Sequence, residues 1–509
     1  MRKFRIVLFI CAGSALAQIG PPAGQTGGSQ ATQLPLSGRT GQSGSVNATE
    51  TPIPGTTSSV NTLNTSVQTE GPYAGSRSGV SQQPFSGKLS MREAVERGLA
   101  YNLGTVGLNT AVRQSRGQAR VARSALLPNL NGALSETVEQ VNLAASGVRF
   151  NAPIPGFNIP NVVGPFNYFD LRATLTQTVA DMTALNNYRT AQQIHRANQF
   201  LAQDARDLVV LAVGGAYLQV IAAQGRVDSA KAQLQTAQAL YQQTSDRRQA
   251  RLSPQIDVNR ALVERETQQQ RIATLTNDLA KQKINLARLT GLPATDGYEI
   301  TDQVPFSAGP SLSVEDALQQ AYADRADLKS ADAQLHAAER SKAAARAERL
   351  PSLSLSADYG AIGVNPSQSH GTFAVTATLK VPIWTSGKIA GDIEQADAAL
   401  EQRRAELEDQ RSRIESDVRN AFLDLQAAAN QVRVAESNRE VTGQTLELTR
   451  QRFEAGITDS VEVTQSQEAV AGAELDYISA VFAHNLAKLS LARALGRAEE
   501  SYARYLGLR

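Results

Sequence analysis

The chain has 509 residues, of which 50 are Lys or Arg and 48 are Asp or Glu, and its one cysteine is Cys11. Because basic and acidic residues are nearly equal in number, the chain offers no strongly basic surface for nucleic acid. A single cysteine excludes a disulfide framework. A chain of this length usually folds into several domains, unless it is built from repeats.

The first 17 residues are typical of a secretory signal peptide. Basic residues follow Met1, an apolar run comes next, and small residues suit cleavage after Ala17. Cys11 lies inside this segment with bulky neighbours before it, so we expect neither a lipid anchor nor a disulfide. Residues 18–88 are rich in Ser, Gly, Thr, Pro and Gln, a composition that predicts a disordered low-complexity tail.

The rest of the chain repeats itself. The segment that begins Leu89-Ser90 is repeated in the segment that begins Leu312-Ser313. A predicted helical segment that ends at Gly291 is likewise repeated in one that ends at Gly496. One duplication therefore accounts for nearly everything after residue 88. Each copy is predicted to contain one short helix, two strands and two very long helices. The two predicted repeats occupy residues 89–296 and 297–509.

A capping signal begins the short helix of each repeat. Ser90 is followed three residues later by Glu93, and Ser313 is followed in the same way by Asp316. A serine that precedes an acidic residue at this spacing is typical of a helix N-terminus. These residues are therefore predicted to begin helices and to have no chemical role.

Four segments alternate apolar and polar residues with the period of two that predicts strands. They run from about Leu130 to Leu143, from Phe169 to Val179, from Leu353 to Tyr359 and from Phe373 to Ile383. Eleven residues tilted near 40° rise roughly 28 Å, the height of a bilayer's hydrocarbon core. Aromatic residues concentrate near the strand ends, as in membrane-interface belts. The alternative is a soluble β-sandwich, although four strands are few for the core of a sandwich formed by a chain of this length.

A membrane crossing would have to be made of these strands, because no stretch after the signal approaches about 20 apolar residues. Four strands cannot close a barrel, since the smallest transmembrane barrels have about eight. An open sheet in lipid would leave its edge N–H and C=O groups without partners. The pattern therefore predicts that several subunits pool their strands.

The remaining sequence is predicted to be helical. No proline occurs between about Met182 and Ala250, or after Ser386. About 65 helical residues would form a rod near 100 Å long. Apolar residues recur at spacings of three and four, which indicates coiled-coil packing.

Each rod is interrupted once by a tight connection. Residues 249–258 align without gaps on residues 454–463, with Leu252 on Ile457 and Asp257 on Glu462. An apolar residue at the exposed end of a charged hairpin is a candidate contact site. A plain helix-turn-helix corner with no partner is the alternative.

The repeats and their connections resemble the TolC family of outer-membrane efflux proteins, over about Leu89 to Gly496. The segment 453–463 and the alanine-rich helix after it most closely resemble the second repeat of that family. The family implies a mainly α fold with membrane β structure: a homotrimer whose four strands per chain form one 12-stranded transmembrane β-barrel, continued by a long coiled-coil helical barrel. It also implies a periplasmic adaptor (membrane fusion protein) and an inner-membrane pump of the RND or ABC type as partners.

The resemblance also implies site residues. The adaptor-binding tips would be Arg251, Leu252 and Ser253 in repeat 1, and Gly456, Ile457 and Thr458 in repeat 2. The pore constriction would hold Glu462, Asp257 at the equivalent position, and Gln465. Three copies of Glu462 would form a carboxylate ring that favours cations. Well-studied members have a second acid where this chain has Gln465, which halves the expected ring charge, and Arg251 replaces a usual glycine, which predicts a stiffer first tip.

The sequence predicts a passive outer-membrane exit duct of a tripartite efflux pump or a type I secretion system, extending into the periplasm. We expect no enzyme activity, catalytic residue, metal or cofactor, because the four histidines are far apart and no phosphate loop or nucleophile elbow is present. A periplasmic adaptor and a secreted coiled-coil structural protein are the alternatives. Residues 141–160 are predicted to form a long extracellular loop.

Overall fold

The computed structural model describes residues 44–53, 62–77, 85–145, 160–294, 297–310 and 312–508. The predicted signal peptide and most of the predicted 141–160 loop lie outside these residues. The described chain is mostly helical and divides into two compact units. The sheet unit contains Arg120–Arg189 and Arg340–Ala396, and the helical unit contains the described parts of Leu34–Ala119, Thr190–Glu339 and Asp397–Arg509.

The order of elements shows the duplication directly. A hairpin of β1 (Val46–Ile53) and β2 (Thr62–Thr69) precedes both copies. The first copy contains β3 (Lys88–Leu89), α1 (Met91–Tyr101), α2 (Leu103–Ser124), β4 (Asn129–Asn142), β5 (Val162–Ala180), α3 (Met182–Gln249) and α4 (Gln255–Thr290). The second contains β6 (Glu299–Ile300), α5 (Val314–Asp324), α6 (Ala326–Ala347), β7 (Ser352–Gly363), β8 (His370–Lys380), α7 (Lys388–Glu454) and α8 (Ser460–Ala494), and α9 (Ala498–Leu506) ends the chain.

Each copy has two helices before its strands, where one was predicted. Helices of 11 and 22 residues follow each other in both copies, separated by a single non-helical residue, Asn102 or Arg325. Asn102 is held by a 2.9 Å hydrogen bond from its side-chain amide to the carbonyl of Tyr73. Arg325 is held by ion pairs with Asp327 and Asp417. At each break the structure shows a contact with a distant segment, which is Tyr73 for Asn102 and Asp417 for Arg325.

The predicted helix ends are confirmed. The hydroxyl of Ser90 accepts from the Glu93 backbone N–H at 3.2 Å, and Ser313 accepts from Asp316 at 3.1 Å. Gly291 and Gly496 follow the final helices of the two copies with φ of 75° and 74°, the left-handed conformation that favours glycine.

The two long proline-free helices are also confirmed, with 68 residues in α3 and 67 in α7. At 1.5 Å per residue, each is about 100 Å long. One expectation needs correction: among the described residues, α3 alone contains an 18-residue window apolar enough to cross a membrane by length and composition. Because 67% of that window is buried inside the molecule, its apolar character is explained by core packing.

The four predicted strands form one antiparallel sheet in the order β4-β5-β7-β8. The central pair joins the two copies, with Leu171 of β5 opposite Ala361 of β7. Strands β5 and β7 are longer than predicted, and β4 is shifted by one residue from its predicted position. Strand β8 ends at Lys380, before the predicted end at Ile383. Pro382 explains the early end, because it has no N–H for the ladder.

The segment that precedes repeat 1 is partly folded, which differs from the predicted disorder of residues 18–88. Strands β1 and β2 pair antiparallel, and β2 contacts α8. Val46 and Tyr73 are buried, and Val67 packs so closely on α3 that a Cβ on Gly215 would lie 2.3 Å from its methyl carbon. The hairpin is therefore stabilised by a helical surface supplied by later parts of the chain, which its own composition does not reveal.

A second extended segment, residues 301–310, packs on the C-terminal part of α8. The Asn485 amide donates to the carbonyl of Val304 at 3.0 Å, and the Lys488 ammonium donates to the Ser307 hydroxyl at 2.7 Å. The ring of His484 lies 4.8 Å from that of Phe306. Burial lowers the pKa of His484 to about 4 and that of Lys488 to about 8.

Candidate functional site

The sheet presents a broad apolar face to solvent. Leu171 on β5, Tyr359 on β7 and Phe373 on β8 lie on the same face through the register, and 51%, 68% and 77% of their surfaces are exposed. The exposed large apolar residues of the four strands include Leu130, Leu134, Val138, Val179, Val375 and Leu379. A face of this size is not left in water by a soluble monomer, so it marks a surface that contacts lipid or protein.

The opposite face of the sheet is polar and carries a charged cluster. Arg172 lies 3.3 Å from Asp170, pairs with Asp358 on the neighbouring strand and donates to the Thr372 hydroxyl at 3.3 Å. One apolar face and one hydrophilic face are what a strand wall between lipid and a water-filled lumen requires.

Both edges of the sheet are open within the chain. β4 pairs only with β5, and β8 pairs only with β7, so the outer N–H and C=O groups of these two strands have no neighbouring strand in the described chain. After β8, Ile383 and Trp384 are 93% and 86% exposed. An exposed tryptophan beside an apolar sheet face suits a membrane interface.

In the helical unit, the predicted tips are the two connections between long helices. The first tip, residues 250–254, joins α3 to α4, and the second tip, residues 455–459, joins α7 to α8. Leu252 is 76% exposed and Ile457 is 69% exposed, as predicted from their positions. Ser253 and Thr458 are half-buried.

The two tips end their helices with the same backbone turn. The N–H of Leu252 donates to the carbonyl of Arg247 at 2.7 Å, and the N–H of Ile457 donates to that of Arg452 at 2.9 Å. Each turn needs one left-handed residue, which is Arg251 with φ 62° or Gly456 with φ 73°. Arginine occupies this conformation at a cost that glycine does not have.

Two polar contacts connect the tips to each other. Arg247, at the end of α3, donates to the carbonyls of Phe453 and Glu454 at the end of α7, at 3.0 and 2.9 Å. The hydroxyl of Ser460, which begins α8, donates to Asp257 at 2.8 Å. Beneath them, Phe453 belongs to a small apolar cluster together with Leu240, Ala261, Leu446 and Val463.

The predicted constriction residues do not form one cluster within the chain. Glu462 accepts from Arg452 at 2.9 Å and also from the Thr458 hydroxyl. Asp257 is bound to Ser460 and lies 3.6 Å from Arg260, and Gln465 is exposed on α8. The structure therefore pairs Glu462 with residues around the second tip and Asp257 with Ser460 of the other hairpin.

Arg247 and Arg452 make contacts at the tips that were not predicted from the sequence. They are equivalent in the two copies, because each lies five residues before the exposed apolar residue of its tip. The repeat alignment contains this signal, but it does not show that one arginine binds backbone carbonyls and the other binds Glu462. Among the described residues, no group of three or more His, Cys, Asp or Glu side chains could hold a metal ion.

Known proteins are similar to this chain in sequence and in fold. The family model described as "Outer membrane efflux protein" matches residues 108–292 and 317–497. The chain is similar to the pyoverdine export outer membrane protein OpmQ of Pseudomonas putida, with 23% identity over 292 residues. That match covers 56% of this chain and 60% of OpmQ, which is less than two thirds of the relative's length.

Solved structures share the fold. A crystal structure of a membrane protein from Pseudomonas aeruginosa is similar with a TM-score of 0.70 and 20% identity, covering 80% of this chain and 90% of that one. The outer membrane protein VceC of Vibrio cholerae is similar with a TM-score of 0.68 and 19% identity, covering 80% and 96%. These similarities concern the arrangement of the helices and strands.

Proposed function

Because this chain belongs to the outer membrane efflux protein family, we propose that it is the passive exit duct of a tripartite efflux pump or a type I secretion system. It is an outer-membrane protein. The observation that carries the proposal is the four-stranded sheet, which has an exposed apolar face, a polar face and two open edges. Such a sheet is unstable in lipid until its edges are paired.

In the proposed assembly, three chains contribute four strands each to one 12-stranded barrel. Strand β4 of one subunit pairs with β8 of the next, which leaves no open edge. The apolar face contacts the outer-membrane lipid, and the cluster around Arg172 faces the lumen. The long helices α3 and α7 form the periplasmic tube. The signal peptide at 1–17 and the repeat boundaries at 89–296 and 297–509 belong to the same proposal.

The tips are the proposed gate and docking surface. A periplasmic adaptor would contact Arg251, Leu252 and Ser253 on the first tip and Gly456, Ile457 and Thr458 on the second. Leu252 and Ile457 supply exposed apolar anchors, which protein interfaces use at their centres. An inner-membrane pump of the RND or ABC type supplies the energy, so the duct itself performs no chemistry.

Glu462 is the proposed charged residue of the constriction, with Asp257 and Gln465 beside it. Three copies around an axis would favour cations in the pore. The ion pair with Arg452 weakens this effect, because it places a positive charge 2.9 Å from the carboxylate. The name of OpmQ states that this relative exports pyoverdine, which supports an export role for this chain.

Electron microscopy of the detergent-purified mature protein tests the assembly. We expect threefold particles with a helical shaft about 100 Å long.

Because the predicted mature chain has no cysteine, Ser135→Cys on β4 can be combined with Thr376→Cys on β8 and oxidised. Disulfide-linked trimers are expected from the double variant, or from one with the β8 cysteine moved by two residues, whereas either single variant should give none. Monomeric rods or thin filaments would contradict the proposal and favour a coiled-coil structural protein.

A further inference from the structure

The helical unit contains a cavity that the duct function does not use. It has a volume of about 370 Å³ and lies between α3, α4, α7 and α8, away from the exposed ends of the tips. This volume is within the range of small-molecule sites in proteins. Side chains from all four helices line it, so its walls belong to both long hairpins.

Buried polar groups face the cavity without partners. Gln268 and Gln467 are 5% and 8% exposed. The Oε1 atom of Gln268 and both the Oε1 and Nε2 atoms of Gln467 have no hydrogen-bond partner, and the Oε1 atom of Gln233 has none either. A buried amide oxygen without a donor costs roughly 1–3 kcal/mol, so a ligand that donates hydrogen bonds to these oxygens would be favoured here.

The cavity also contains a buried carboxylate. Glu264 is 9% exposed and accepts a 2.8 Å hydrogen bond from the Gln268 amide. Among the described residues, no cationic side chain forms an ion pair with it. A buried charge without an opposite charge is costly. A ligand that is positively charged and donates hydrogen bonds would supply the opposite charge that this carboxylate lacks.

The remaining walls define the rest of the ligand. Leu446, Val470 and Ile478 line the same space, so part of the cavity is apolar. A metal ion would not use these side chains, and a hydrated anion would meet the Glu264 carboxylate. An organic cation with an apolar body matches both kinds of wall.

We propose that this cavity binds a small organic cation, with its ammonium group against Glu264, Gln268 and Gln467 and its apolar body against Leu446 and Val470. A ligand held there contacts the α3–α4 hairpin and the α7–α8 hairpin together. It stabilises the packing of one hairpin on the other, which makes the cavity a regulatory site distinct from the pore. The ligand site does not depend on the duct function, because binding is measured without transport.

Isothermal titration calorimetry of the full-length protein in detergent tests this site with tryptamine, an indole ring that carries a primary ammonium group. Saturable binding at one site per chain is expected. Indole-3-acetate has the same ring with a carboxylate, and it should bind at least tenfold more weakly. Equal binding of the two compounds, or no saturable binding of tryptamine, would overturn the proposal.

Substitutions locate the site. Glu264→Gln should weaken tryptamine binding at least tenfold, whereas Glu266→Gln, an exposed position on the same helix, should leave it unchanged. Gln467→Leu removes the unpartnered amide at nearly constant size and should also weaken binding. Circular dichroism and size-exclusion chromatography establish that the variants are folded. Binding that survives in folded Glu264→Gln or Gln467→Leu protein would overturn the assignment, and the comparison of tryptamine with indole-3-acetate decides the outcome if neither variant folds.

Discussion

The guanidinium carbon of Arg247 lies 4.7 Å from the centre of the Phe453 ring, and the same guanidinium donates a 3.0 Å hydrogen bond to the Phe453 carbonyl. The arginine thus closes the C-terminus of α7, where a positive charge also complements the helix dipole. Because Arg247 lies in the last turn of α3, this one side chain connects the first hairpin to the second at their tips.

Replacement of Arg247 should loosen the proposed gate. Arg247→Ala removes two hydrogen bonds and a cation–π contact, and we expect a loss of about 1–2 kcal/mol from the closed arrangement. A change of that size raises the fraction of open channels roughly tenfold. Single-channel recording in planar bilayers measures it.

The matched control is Arg248→Ala, which removes the exposed arginine next in the chain. Channel opening in this control should equal that of the unchanged protein. If Arg247→Ala and Arg248→Ala open equally often, the contact with Phe453 does not hold the gate.

Ion selectivity should depend on the pair formed by Arg452 and Glu462. Arg452→Gln frees the Glu462 carboxylate from its 2.9 Å ion pair, and we expect the preference for cations to rise by roughly twofold. Adding Glu462→Gln to this variant should reverse the increase. Reversal potentials across a KCl gradient give the permeability ratio, and a ratio unchanged by Glu462→Gln would refute the carboxylate ring.

The second tip should not tolerate a Cβ. Gly456 has a φ of 73°, whereas Gly443 lies inside α7, and a Cβ would meet open space at both positions. Gly456→Ala should lower the free energy of unfolding by about 1 kcal/mol, because alanine avoids this conformation. Gly443→Ala should raise it by about 0.5–1 kcal/mol. Thermal unfolding compares the two, and equal effects would mean that the left-handed turn is not maintained.

Acid should destabilise the helical unit through His484. Burial lowers the pKa of this histidine to about 4 in the folded chain, whereas an unfolded chain has a value near 6.5. As the pH falls from 6.5 to 4, the unfolded chain takes up a proton that the folded chain does not. The free energy of unfolding should therefore fall with the pH, by up to about 3 kcal/mol at pH 4.

The test compares the pH dependence of unfolding in His484→Leu with that of the unchanged protein. Burial raises the pKa of Asp204 to about 6, so this group raises the free energy of unfolding as the pH falls towards 4, which is opposite to the effect of His484. The difference between the two proteins removes the contribution of Asp204 and leaves that of His484. His370→Leu, which removes an exposed histidine, is the matched control. Parallel pH profiles for His484→Leu and the unchanged protein would exclude this role.

Much of the fold could be predicted from the sequence, because its strongest signals are periodic. Alternation located the four strands, and the absence of proline located α3 and α7. The break at Arg325 was missed because one of its two ion pairs is with Asp417, which is distant in the sequence. The β1–β2 hairpin was missed for a similar reason, since Val67 packs on Gly215 of another element and not within its own segment.

The candidate site was predicted in part. Repeat alignment located the exposed Leu252 and Ile457, because an apolar residue between charged helix ends is a local feature. The partners of Glu462 and the carbonyl contacts of Arg247 were not predicted. Both depend on the distance between residues in adjacent helices, and the sequence does not contain that distance.

The open edges of β4 and β8 have a genetic consequence. In the proposed ring every subunit pairs with two others. One chain with a damaged edge strand therefore prevents the two sound, undamaged chains beside it from closing the barrel. If sound and damaged chains are made equally and mix at random, about one eighth of the trimers contain only sound chains. A damaged edge should therefore behave as a dominant-negative allele, whereas damage confined to the outer surface of a helix should be recessive.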